Sequence, residues 1–126
     1  MTSQNARPAA ERETVADEER IGAVRIAPDV LATIAALTAQ SVAGVVRLRG
    51  GLAGEVGKLI GRTRAPHGVK VTVVGNEVWV ELHIVCKPDA SMYQVGREVQ
   101  NSVAEALETM VGMPVHAVDV FIEDVE

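Results

Sequence analysis

Between Val69 and Cys86 apolar and polar positions alternate on either side of one interruption. Val-Lys-Val-Thr-Val-Val leads into Gly75-Asn76, and Glu-Val-Trp-Val-Glu-Leu-His-Ile-Val-Cys follows. A period of two marks half-buried strands. Gly-Asn between two such runs marks a hairpin turn of type I′ or II′, because both residues tolerate positive φ. With those two residues at the turn, Val74 opposes Glu77, Val73 opposes Val78, Thr72 opposes Trp79, Val71 opposes Val80, Lys70 opposes Glu81 and Val69 opposes Leu82. One face of this ribbon carries Val69, Val71, Val73, Val78, Val80, Leu82 and Ile84. The other carries Lys70, Thr72, Trp79, Glu81 and His83, with Lys70 across from Glu81. A slip of one residue would exchange the faces, so the register is strongly specified.

The pattern elsewhere predicts elements around that ribbon. Residues 22–26 read as a short strand, and Ala27-Pro28-Asp29 starts a helix with proline in its first turn and an acid beside it. From Pro28 to Ala43, Val30, Ile34, Leu37 and Ser41 share one stripe, with Leu31, Ala35, Thr38 and Val42 beside it. Gly44 is placed to end the helix in the left-handed conformation, and Val45 to Gly50 reads as a second strand. Strand, helix and strand in such short order predict a parallel crossover. After the ribbon, Lys87-Pro88-Asp89-Ala90 breaks the sheet and Ser91-Met92-Tyr93-Gln94 fits a capping box. A helix over Met92 to Val111 follows, with Val95, Val99, Val103, Ala106 and Met110 as its apolar stripe. Gly112 and Pro114 end it. Val115 to Glu123 then alternates, with Val118, Val120 and Ile122 on one face and Ala117, Asp119, Phe121 and Glu123 on the other. The order β-α-β-β-β-α-β predicts an α/β two-layer sandwich: a mixed sheet of about five strands with two helices on its valine face.

Length and composition narrow this picture to a single domain at 21–126, preceded by a polar tail at 1–20 that is expected to be disordered. The tail mixes arginines with acids and holds no apolar run of signal-peptide length. The uncharged stretch Val30 to Val46 is short for a membrane span and contains Thr33, Thr38, Gln40 and Ser41, so a buried helix followed by a strand accounts for it better. Trp79, Tyr93 and Phe121 are the only Trp, Tyr and Phe, so the core must be aliphatic. A single cysteine, Cys86, permits no internal disulfide.

The net charge of −5 is unevenly placed: −2 over residues 1–44, +5 over 45–70 and −8 over 71–126. Such polarity suits head-to-tail self-association or docking on an acidic partner. Residues 50–68 form a glycine-rich segment that reads as a mobile basic loop, with a helical turn at Glu55 to Ile60. Together with the preceding strand it supplies the cations Arg47, Arg49, Lys58, Arg62 and Arg64.

Candidate chemistry is sparse. His83 and Cys86 are three apart on a strand and so face opposite sides, which precludes a thiol–imidazole dyad and leaves Cys86 as a small core residue. His67, His83 and His116 lack the close spacing of a zinc site, although His83 and His116 can approach across strands. The segment Gly51-Leu-Ala-Gly-Glu-Val-Gly-Lys-Leu fails the phosphate-loop spacing: Leu52 stands where glycine is required, and Leu59 cannot ligand magnesium. Gly51-Leu52-Ala53-Gly54 echoes the backbone-clamping loop of KH domains, with the basic 47–64 region to supply charge but no aromatic stacking platform. No catalytic residue, cofactor site or metal site is expected. The feature that stands out is Trp79, on the hairpin face away from the valines, with Val74 and Val85 beside it and Phe121 projecting to the same side. If both helices cover the other face, these four residues form an apolar partner surface. The alternative is that the basic loop or the tail folds over them.

Three segments together resemble the alkaline-shock and general-stress family of bacterial proteins, also described as envelope stress response proteins. They are Ile26-Ala-Pro-Asp-Val30 running on to Val42-Ala-Gly-Val-Val46, then Gly68-Val-Lys-Val-Thr72 with Glu77-Val-Trp-Val-Glu-Leu-His-Ile-Val85. The third, Val99 to Val125, contains Val-Gly-Met-Pro-Val and Val-Asp-Val-Phe-Ile. The likeness spans residues 21–126 and lies in hydrophobic spacing and glycines, not in an active-site signature. It implies a small cytoplasmic, non-enzymatic α/β protein of the envelope or alkaline stress response that self-associates. It also implies a membrane-anchored protein partner holding the chain at the inner membrane face. The runner-up function is a small regulatory RNA-binding module built on Arg47, Arg49, Lys58, Arg62 and Arg64.

Overall fold

The computed structural model describes residues 21–50 and 67–126. The expected tail at 1–20, most of the basic loop with its helical turn and Lys58, Arg62 and Arg64, and the Gly51 to Leu59 motifs lie outside the described residues. In chain order the elements are α1 (Pro28–Gln40), β1 (Val45–Leu48), β2 (Val69–Val74), β3 (Glu77–Cys86), α2 (Met92–Met110) and β4 (Val115–Val125).

The hairpin forms as its alternation requires. All six pairs from Val69↔Leu82 to Val74↔Glu77 are antiparallel partners. Gly75 has φ +62° and no non-glycine residue among those described has positive φ, so the turn takes glycine in its first central position, as in type II′. β3 is the hub of the sheet, pairing antiparallel with β1 and β2 and parallel with β4. Because β4 runs along β3 from Val78 to Cys86, β1 and β2 must share the opposite edge, end to end. They meet at His83, whose carbonyl accepts from the Arg49 amide (2.7 Å) and whose amide donates to the Gly68 carbonyl (2.9 Å).

Both helices pack on the valine face. Val78, Val80, Leu82, Ile84 and Cys86 form one buried core with Leu31, Ala35 and Ala39 of α1, Val95, Val99, Val103 and Leu107 of α2 and Val118 of β4. Full burial of each large aliphatic side chain contributes roughly 1.5–3 kcal/mol.

The structure corrects several expectations. Residues 22–26 form no strand; they are exposed and irregular, so four strands are described, not five. The parallel crossover forms around α2, joining β3 to β4, and not around α1. α1 stops at Gln40, and Gly44 (φ +97°) instead turns the chain into β1. A Cβ there would lie 2.6 Å from the Val95 side chain, so α2 approaches because the residue is glycine. The buried stripe of α1 is Leu31, Ala32, Ala35, Ala36 and Ala39, whereas Val30 and Leu37 are 47% and 63% exposed. Small alanines let the helix sit close to its neighbours, and this outweighed the larger side chains of the adjacent stripe. In α2 the stripe ends on Leu107, with Met110 exposed. Ser91 occupies the N-cap but makes no side-chain cap bond; its carbonyl accepts from the Val95 amide instead. At the other end Gly112, at φ +81°, donates to the Glu108 carbonyl as a left-handed cap.

Candidate functional site: an aromatic sheet face

Opposite parity along β3 turns Trp79, Glu81 and His83 away from the helices, while Val78, Val80, Leu82 and Ile84 go inward. Cross-strand register then builds rows on the helix-free face. Thr72, Trp79 and Ala117 form one row, and Lys70, Glu81 and Asp119 the next. His83 and Phe121 lie beyond them at the junction of β1 and β2. Trp79 is half-buried, and Phe121 and Val74 are 45% and 58% exposed.

Two aromatic stacks organise the surface. His83 lies on Phe121 with ring centroids 4.8 Å apart and planes 10° from parallel, and Trp79 packs on His116 at 4.3 Å with a 32° tilt. His116 reaches this face because the β3–β4 ladder shifts register between the pairs Val78↔Val115 and Trp79↔Ala117, leaving His116 without a partner. Strict alternation would have sent it to the core side. The break shows in the packing as well: Val115 and Val118, three apart, both pack against the core, which an unbroken strand cannot do.

A second shift, after Ile84↔Ile122, places Glu123 beside His83. The Nδ1 of His83 lies 2.6 Å from Glu123 and its Nε2 lies 2.8 Å from Glu81. Arg49 donates to Glu123 at 3.0 Å. A neutral imidazole has one N–H and can donate to only one carboxylate, so two such contacts select the imidazolium. Hydrogen bonds to Glu81 and then Glu123 hold the His83 pKa above its ordinary value. The His83 bond is likewise the main cause that keeps Glu123 below the usual carboxylate range. Glu81, His83 and Glu123 were each placed on this side by alternation, but their convergence depends on the parallel register of β4.

Other expected site residues fall differently. Val85 is 1% exposed and is no part of an open surface. It sits at register shifts in both flanking ladders, with Arg47 and Asp124 as cross-strand neighbours, where simple alternation fails. Arg47 and Arg49 do not stand free: Arg47 pairs with Glu126 at 2.6 Å and Arg49 with Glu123. His83 and His116 each stack on a different aromatic ring and do not converge on one point. Cys86 is fully buried on the helix side, and burial pushes its thiol pKa up. Among the described residues, no group of three or more His, Cys, Asp or Glu side chains is arranged to hold a metal ion.

The model of the alkaline-shock protein family, described as having a cell envelope-related function, matches residues 16–126. A protein of Bacillus subtilis (strain 168) described as uncharacterized protein YqhY is 26% identical over 110 residues, covering 87% of this chain and 82% of its own length. Among solved structures, variants of the MamM CTD match with TM-scores of 0.49. One is 16% identical over 78% of this chain and 95% of that one. A nickel form is 16% identical over 78% and 99%, and a cadmium form 17% identical over 78% and 96%.

Proposed function

Because this chain belongs to the alkaline-shock protein family, whose function is cell envelope-related, we propose that it is a non-enzymatic interaction protein that binds a second copy of itself through the helix-free sheet face. The observation that carries this reading is the pair of aromatic stacks, Trp79 on His116 and Phe121 on His83, on a side of the sheet where no described helix packs. Exposed apolar area with aromatic anchors is what marks a partner site.

Charge favours a second copy as the occupant. The cations Lys70 and Arg49 lie on the β1–β2 side of β3, and the acids Asp119 and Glu123 on the β4 side. A two-fold axis in the plane of the interface, running along β3, sets the cationic margin of one copy over the acidic margin of the other. It also brings Trp79 near its symmetry mate. That is the self-complementarity an isologous interface needs.

The envelope role adds a second contact to the proposal. No described helix is long and apolar enough to cross a membrane, and a membrane-anchored protein partner would hold the chain at the inner membrane face. Crosslinked pull-down from membrane and soluble fractions tests that part: recovery of a membrane protein supports it, and recovery of soluble proteins alone counts against it.

Sedimentation velocity of Trp79→Ser beside Leu37→Ser tests the face itself. Leu37 is an apolar residue 63% exposed on α1, away from the sheet face. The expected result is a self-associating wild type, a loss of mass with Trp79→Ser and none with Leu37→Ser. The reverse pattern moves the interface to α1.

A further inference from the structure

Resting on the reading of the sheet face as a self-association surface, we infer that its affinity is gated by the proton on His83: the imidazolium bridging Glu81 and Glu123 keeps the face competent for a second copy, and loss of that proton weakens the contact.

The geometry requires the charged ring. Both ring nitrogens are engaged by carboxylates, at 2.8 Å to Glu81 and 2.6 Å to Glu123. A neutral ring must release one of them. Groups from every neighbouring strand enter the balance. β3 contributes Glu81, β4 contributes Asp119, Glu123 and the stacked ring of Phe121, the residue after β1 contributes Arg49 and β2 contributes Lys70. Arg49 is engaged by Glu123, and Lys70 faces Glu81 across the hairpin while Asp119 faces it from β4. With His83 charged, these five ionised side chains and the imidazolium sum to zero. With His83 neutral the cluster carries one net negative charge in each copy.

The consequence at a two-fold interface is specific. An axis along β3 brings Glu81 close to Glu81 of the other copy, and the imidazolium is what neutralises that approach. His83 is only part-buried, with its side chain 30% exposed, so protons exchange with solvent before association. Binding and proton uptake are therefore linked: a rise of about half a pKa unit on association at each of the two His83 rings of a dimer makes the contact about tenfold weaker once both protons are gone.

The test is sedimentation velocity of the full chain across about pH 6 to 9, read beside the NMR titration of the His83 imidazole. The expected result is a dissociation constant that rises about tenfold with pH, following the His83 titration. His83→Gln, which holds one carboxylate at every pH, should associate weakly with no pH step. His67→Gln, at an exposed histidine that takes no part in the sheet face, should keep the step. Should His83→Gln fail to fold, Glu81→Gln takes its place: it removes the two carboxylates that meet across the axis, so the pH step should shrink or vanish, and a step of undiminished size overturns the gate. A wild type whose association depends on Trp79 but not on pH overturns the gate and leaves the docking face standing. So does a pH step that survives His83→Gln. A wild type that fails to associate at any pH removes both.

Discussion

Gly68→Ala probes the junction on which the site is built. Gly68 has φ +87°, and a Cβ added there would lie 2.7 Å from the Arg49 carbonyl oxygen, 3.1 Å from Leu48 Cβ and 3.3 Å from the Arg49 amide nitrogen. Two of these are backbone atoms of Arg49, the residue that follows β1, and the third is a Cβ fixed to the backbone, so no change of rotamer can make room. Left-handed backbone costs a non-glycine residue roughly 1–2 kcal/mol, and forcing extra volume into a packed site costs typically 1–3. The stiffer unfolded chain returns about 0.4–1. The net expectation is a loss of about 2–4 kcal/mol, or on the order of 10 °C in melting temperature. Two other glycines calibrate the result. Gly75→Ala meets nothing within 4 Å at φ +62° and should bear only the conformational cost, about 1 kcal/mol. Gly96→Ala, inside α2 with open space, should gain roughly 0.5–1. Urea denaturation of the three variants measures the series. A Gly68→Ala protein as stable as Gly75→Ala would refute the abutment of β1 on β2, and with it the placement of Arg49 beside Glu123.

Leu107→Ala, at a fully buried position of α2, should lower the urea midpoint by an amount worth about 3 kcal/mol with an unchanged m-value. Cys86 should resist an aromatic disulfide reagent in the folded protein and react at once in denaturant, since the thiol is buried and its pKa raised. The clamp gives two pH limbs of stability with opposite signs. Glu123 is depressed on folding, so its contribution is present above the unfolded value and lost as pH falls through the folded one. His83 is raised, so its contribution is full below the unfolded value and lost as pH rises through the folded one. Urea midpoints against pH should show Glu123→Gln flattening the acid limb and His83→Gln the alkaline one.

The hairpin was fully legible because two local signals agree there: unbroken alternation and a glycine where the turn needs positive φ. Trp79 and Phe121 were legible for the same reason, since each lies two residues from others of known face. What failed was non-local. Nothing in residues 22–26 shows that no strand lies alongside to pair with them, and nothing in α1 shows that alanines, not Val30 and Leu37, meet the core. Both outcomes depend on how closely elements pack. The bulges at His116 and Glu123 escaped because alternation assumes an intact ladder, and they are what bring His116 onto Trp79 and Glu123 onto His83. Bulges also removed Val85 from the expected surface. The aromatic anchors of the candidate site could thus be read from sequence, whereas its charged clamp required the register of a parallel pair separated by the whole of α2.

Trp79 is the chain's only tryptophan, which makes its fluorescence a direct report on the proposed interface. Emission recorded along a dilution series that spans the monomer–dimer transition, with mass followed in parallel, should shift to the blue as dimer forms, because the half-buried indole loses its remaining contact with water. Dimer formation with an unchanged Trp79 spectrum would contradict the assignment of this sheet face as the contact between copies.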